Sequence, residues 1–123
     1  MKINMKRLMS NLYEIGDIGK TEEGYNRIEF SREYFEAAEL FLNKLKKSGL
    51  KAWIDDVGNV IGERPGTDPD LPYIIIGSHL DTVRNGGLYD GALGVVCAFE
   101  CIESLEEENI KTRHPLRIVA FNA

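Results

Sequence analysis

YIIIGSHLDTV (residues 73–83), LYDGALGVVCAFECIESLEE (88–107) and LRIVAF (Leu116–Phe121) are the stretches whose reading decides the fold. Residues 73–77 form a continuous apolar run of strand length, the kind buried on both faces of a largely parallel sheet, so a central strand is expected there. Over 91–106 the residues Leu93, Val96, Phe99, Cys101, Ile102 and Leu105 recur at helical spacing, and the acidic run Glu106-Glu107-Glu108 reads as a solvated helix end. After Pro115 comes a second apolar strand. Strand, helix and strand make a unit whose strands should run parallel with a right-handed crossover, which is an α/β signature.

Outward from that unit, Met5, Leu8, Met9, Leu12 and Ile15 recur at intervals of three and four, predicting an amphipathic helix that stops at Gly16. Residues 16–30 lack periodicity and read as a loop. Ser31 is a candidate N-cap for a helix with the stripe Phe35, Ala38, Phe41, Leu42 and Leu45, closed by Lys44, Lys46 and Lys47 before Gly49. Residues 50–55 and 59–63 flank Asp56-Val57-Gly58, the pattern of a hairpin. The expected architecture is a central, mostly parallel sheet flanked by helices, with a β-hairpin. Trp53 and the group Tyr34, Phe35 and Phe41 are expected in the core.

At 123 residues the chain has room for one core, so residues 1–123 are expected to form a single domain. Hydrophobic residues at 43% and charged residues at 28% are ordinary for a folded domain. Fifteen basic against twenty acidic side chains give a net charge of −5, which argues against nucleic acid as a partner. No apolar run has the length a bilayer needs, and the N-terminus lacks a secretory profile, so a cytoplasmic protein with no membrane partner is expected. Cys97 and Cys101 read as small core residues.

In open α/β sheets ligands gather at the carboxyl ends of the strands, and here that is the loop after Gly77. In a still-extended segment His79 and Asp81 point to one side, so the Asp81 carboxylate can select the tautomer that leaves the other imidazole nitrogen free. Asp90 follows a glycine-rich turn and can fold back towards His79. Each residue has a plainer reading: His79 and Asp81 as a local hydrogen bond, and Asp90 as the N-cap of the next helix, which is the commoner role for an aspartate there. His114, at the opposite end of the next strand, reads as a surface residue.

The complete string GSHLDTVRNGGLYDGALGVV resembles the metal-binding segment of the M20-type metallopeptidase superfamily. More narrowly, it is similar to the branch of N-carbamoyl-L-amino-acid hydrolases, allantoate amidohydrolases and β-ureidopropionases. GYNRIEFSREYFEAAELF, SGLKAWIDDVGNVIGERPG and HPLRIVAFN extend the likeness over nearly the whole chain from about Leu8 onward.

The resemblance implies the N-terminal part of a zinc-peptidase-like catalytic domain. It implies that His79 ligates one metal, that Asp90 bridges two, and that Asp81 orients the histidine. The family's cofactors are two divalent metal ions, zinc, manganese or cobalt, which activate a water against an amide-type carbonyl of a small ureido or amide substrate. Family sequences put a Glu-Glu pair, general base and ligand, directly after the strand corresponding to Leu116–Phe121; the 123 residues end at Asn122-Ala123, and both carboxylates are absent from them.

The 123 residues are therefore expected to be an incomplete catalytic domain, inactive alone, with weak or no metal binding. An aminopeptidase or dipeptidase of the same superfamily is the second enzyme reading. The rival from another class is a non-catalytic remnant that self-associates, using its last strand as an edge; a homo-oligomer, with a dimer through that strand, is expected.

Overall fold

Asn4 opens the first helix by accepting the Arg7 N–H on its side chain at 3.1 Å. The computed structural model, which describes all 123 residues, then runs α1 (Met5–Asp17), α2 (Arg32–Lys47), β1 (Lys51–Ile54), β2 (Val60–Arg64), β3 (Ile74–His79), α3 (Ala92–Glu107) and β4 (Leu116–Phe121). Each element predicted from periodicity is present. Ser31 caps α2 as expected, accepting the Tyr34 N–H at 3.1 Å, and the lysines Lys44, Lys46 and Lys47 occupy its last turn.

The hairpin turn is built on Asp55. Its Oδ1 accepts the N–H groups of Val57 and Asn59 at 3.0 and 2.9 Å, and its Oδ2 accepts the Asn59 amide at 3.0 Å. Burial works to raise the Asp55 pKa, but the hydrogen bonds from Asn59, Val57 and Gly58 outweigh it and hold the carboxyl below its ordinary value.

The four strands form one sheet in the order β1-β2-β4-β3. β1 pairs with β2 and β2 with β4 antiparallel, while β3 and β4 run parallel in the register Ile76↔Ile118. The sheet is thus mixed, not mostly parallel, because the hairpin inserts against β4 and contributes both antiparallel pairs. β3 is an edge strand instead of the expected central one, and Ile74 and Ile75 are exposed on it. β4 lies between β2 and β3, so it has no free edge with which to self-associate; the free edges belong to β1 and β3.

The sheet residues that touch the core, Ala52, Ile54, Val60, Ile76, Leu116, Ile118 and Ala120, alternate onto one face, and α2 and α3 pack there. α1 packs on α3 and α2 as an outer layer. The helices therefore flank one face only. Phe41 of α2 meets Phe99 of α3 edge to face at 5.6 Å, and Leu8, Leu12 and Ile15 bring α1 into the same core. Gly94 lets α3 approach β3 closely, since a Cβ there would lie 2.6 Å from the Cβ of Ser78. Trp53 and Phe35 lie outside this core: Phe35 is exposed, and Trp53 is on the uncovered face with Lys51 over its ring at 5.8 Å. Cys97 and Cys101 are free thiols, half-buried, with burial raising the pKa of Cys101.

A buried carboxylate ties the outer layer to the rest. Glu100 is fully buried on α3, and it accepts from Arg7 Nε and Nη2, from the Asn4 N–H, all at 2.8 Å, and from the Ser104 hydroxyl at 3.1 Å. Both carboxylate oxygens thus have donors, three on Oε1 and one on Oε2, which is the condition for tolerating such a buried charge. No helix of the structure is long and apolar enough to cross a membrane.

Candidate functional site

At its carboxyl end β3 delivers His79 opposite Phe121 of β4, and the Leu80 N–H continues the ladder to Phe121 O at 2.8 Å. Two residues on, before the turn at Arg84-Asn85, Asp81 faces the imidazole. His79 Nδ1 lies 2.9 Å from the Asp81 carbonyl oxygen and 3.2 Å from Asp81 Oδ1. A carbonyl can only accept, so Nδ1 carries the proton and the lone pair is on Nε2. Nε2 points to Asp90, whose Oδ2 is 3.8 Å away.

All three residues singled out in the sequence are thus together. Asp90 is not the cap of α3: the N-cap position belongs to Gly91, and no side chain caps the helix. The Asp90 side chain is 68% exposed and its carboxylate is free for a ligand. Gly91 makes the arrangement possible twice over. Its φ is +72°, and a Cβ would lie 2.3 Å from His79 Cε1.

One imidazole nitrogen and one carboxylate suit a divalent transition metal, and two donors on a common tetrahedral zinc stand about 3.4 Å apart, close to the spacing seen here. No group of three or more His, Cys, Asp or Glu side chains converges to complete a cage. His114 is at the opposite end of the sheet, with Nδ1 2.8 Å from Pro72 O, and belongs to no site.

The loop of residues 18–30, unremarkable in sequence, straps the site from outside. Tyr25 and Gly86 exchange N–H···O bonds at 3.0 and 2.9 Å. The Thr82 hydroxyl donates to Tyr25 O at 3.0 Å and accepts the Arg27 N–H at 2.8 Å. Arg27 is buried; desolvation lowers its pKa, opposed by the Asp81 carboxylate nearby. On the other flank the Ala123 N–H donates to Asp81 Oδ1 at 3.2 Å, so the residues after β4 run beside the site. An open hollow of about 370 Å³, lined by Ile28, Glu29, Asp81, Thr82, Val83 and Arg84, adjoins Asp81.

Comparison with known proteins identifies the family. The model of Peptidase family M28 matches residues 59–123. An N-carbamoyl-L-amino acid amidohydrolase of Geobacillus stearothermophilus is 39% identical over 120 residues, which is 97% of this chain and 29% of the relative. An allantoate amidohydrolase of Bacillus subtilis is 35% identical over 108 residues, 86% of this chain and 26% of the relative. The crystal structure of a hydantoinase/carbamoylase family amidase from Burkholderia ambifaria superposes with a TM-score of 0.93 at 33% identity, covering 98% of this chain and 30% of that one. The chain spans less than a third of the length of these relatives. With the family model covering residues 59–123, the matched β3–α3–β4 unit included, the chain belongs to peptidase family M28, and the relatives named above are amidohydrolases.

Proposed function

We propose that this chain supplies the histidine and the bridging carboxylate of a two-cation centre in a hydrolase of N-carbamoyl amino acids or related ureido compounds. The observation that carries the reading is the pairing of His79 Nε2 with the uncapped Asp90 carboxylate at 3.8 Å, with Nδ1 anchored on Asp81. Divalent cations of the zinc, manganese or cobalt type would supply acidification of a water and polarisation of the amide carbonyl. His79 would hold one cation through Nε2, and Asp90 would offer an oxygen to each of two. Asp81 keeps the imidazole in the required tautomer and raises its donor strength.

The general base is carried by other residues. Family resemblance puts it immediately after β4, and the contact of Ala123 with Asp81 leads the backbone towards the site from that side. Asn122 and Ala123 themselves bring no carboxylate to that flank. The alternative of a module self-associating through its last strand has lost its support, since β4 is internal.

The test is a chimaera in which this chain replaces the matching 120 residues of the Geobacillus stearothermophilus relative. Metal-dependent hydrolysis of N-carbamoyl-L-amino acids, abolished by His79→Ala, is expected. A folded, metal-loaded chimaera that cleaves only dipeptides would transfer the reading to the aminopeptidase class. The isolated chain should show no turnover, since a general base alone is commonly worth a factor of about 10² to 10⁴.

A further inference from the structure

Arg27 is fully buried, yet its guanidinium hydrogen bonds go to main-chain carbonyls: Nε to Leu80 O at 2.8 Å, and Nη1 to Ile15 O at 3.2 Å and Ile18 O at 3.5 Å. A buried cation is costly unless opposite charge offsets it. Part of the offset is the carboxyl end of α1, where Ile15 O lies in the last turn and where the helix has no basic residue of its own. Arg27 thus serves from outside the helix as the cation that its last turn lacks.

The same side chain reaches the centre of the site. Leu80 lies between His79 and Asp81, and its carbonyl fixes the orientation of the peptide that enters Asp81. On the far side of Asp81, the Thr82 N–H donates to Arg27 O at 2.9 Å and Thr82 Oγ1 accepts the Arg27 N–H at 2.8 Å. Asp81 is therefore held on both flanks by one residue, and Asp81 provides both oxygens that face His79 Nδ1.

We infer that Arg27 is a positioning residue of the metal centre: by gripping Leu80 O and Thr82 around Asp81, it holds the His79 tautomer that leaves Nε2 free to ligate. The inference deepens the hydrolase reading and rests on it for the meaning of ligation, but the tautomer itself can be measured without metal.

The test uses the full chain. Arg27→Lys keeps the charge and replaces the planar fork by a point donor that cannot hold Leu80 O and Ile15 O together. Thr82→Val removes the hydroxyl on the other flank. Ile102→Ala serves as a control that lowers the melting temperature from the core without touching the loop. Long-range ¹H–¹⁵N spectra of the imidazoles at alkaline pH report the tautomer, with His114 as internal reference. The unaltered chain is expected to show the Nδ1–H form of His79. Both loop variants should gain the Nε2–H form and lose zinc affinity by about 10- to 100-fold in calorimetry, while the control changes neither.

Loop variants that melt lower but keep the tautomer and the zinc affinity would overturn the inference. If Arg27→Lys gives no folded protein, Arg27→Gln replaces it for the side-chain grip on Leu80 O, and Thr82→Val decides for the main-chain grip, the Arg27 N–H on Thr82 Oγ1, by the same tautomer readout. An unaltered chain that binds zinc too weakly to titrate is what two ligands without a completed cage lead to; the tautomer arm then decides the role of Arg27 alone, while the hydrolase reading stands or falls on the chimaera.

Discussion

A Cβ on Gly91 would lie 2.3 Å from Cε1 and 2.4 Å from Nδ1 of His79, so the glycine is part of the wall that seats the imidazole. With φ at +72° as well, an alanine there is strained in backbone and in space together. Gly91→Ala is expected to cost about 1–3 kcal/mol and to tilt the ring away from Asp90. Urea unfolding with a parallel zinc titration checks this; loss of stability with zinc affinity intact would show that the ring has room to spare.

Asp90→Ala separates capping from ligation. A true N-cap aspartate is worth about 1 kcal/mol, whereas Asp90 caps nothing and its side chain is largely exposed. Stability should change by no more than about 0.5 kcal/mol, the usual range for surface positions, while metal affinity falls. A drop in stability of the size a lost cap brings would restore the capping role.

Tyr34 is completely buried and donates its hydroxyl to Gly58 O at 2.6 Å, joining α2 to the hairpin turn. Desolvation raises its pKa well above the ordinary phenol value, so it stays a donor throughout the accessible pH range. Tyr34→Phe leaves the Gly58 carbonyl without that partner, and a loss of about 1–3 kcal/mol in urea unfolding is expected. A neutral result would mean that water reaches the turn.

Glu100 sets part of the acid limit. Burial works to raise its pKa but is outweighed by Arg7, the Asn4 N–H and the Ser104 hydroxyl, and the carboxyl stays below its ordinary value in the folded chain. A depressed carboxyl contributes stability that is fully present above the unfolded value, about 4.3, and is lost as pH falls through the folded value. Glu63 acts in the same sense, burial being outweighed by Arg117. Unfolding midpoints followed from about pH 7 to about pH 3 should therefore drop steeply at the acid end, and Glu100→Gln should flatten the drop without removing it. An unchanged slope would mean that Arg7 prefers Glu107 and Glu103, its other partners, in solution.

The elements themselves were legible because their signals are local. The stripe from Leu8 to Ile15, the Ser31 cap and the turn before Asn59 each act within a few residues. Their arrangement was less so. The run at Ile74-Ile75-Ile76 has the composition of a strand covered on both sides, but pairing is decided by partners far along the chain, and the hairpin took the inner position beside β4. The site followed the same division. His79 and Asp81 are two residues apart and their contact follows from strand alternation, whereas Asp90 was brought in by a turn whose φ values no periodicity announces. Arg27 escaped entirely, because an arginine in an aperiodic loop is ordinarily solvated and only the assembled carbonyls of α1 and Leu80 make its burial sustainable.

The one-sided helical layer gives the chain an optical reporter. Trp53 is the single tryptophan and stands on the uncovered face of the sheet at the β1 edge, with the Lys51 ammonium over its ring. Indole emission depends on the water and charge around the ring, so its wavelength and its accessibility to a quencher such as iodide register directly whether that face is bare. Because helices α1, α2 and α3 pack against the opposite side, events among them leave the signal largely unaltered, and the fluorescence of this one residue reads the open face by itself.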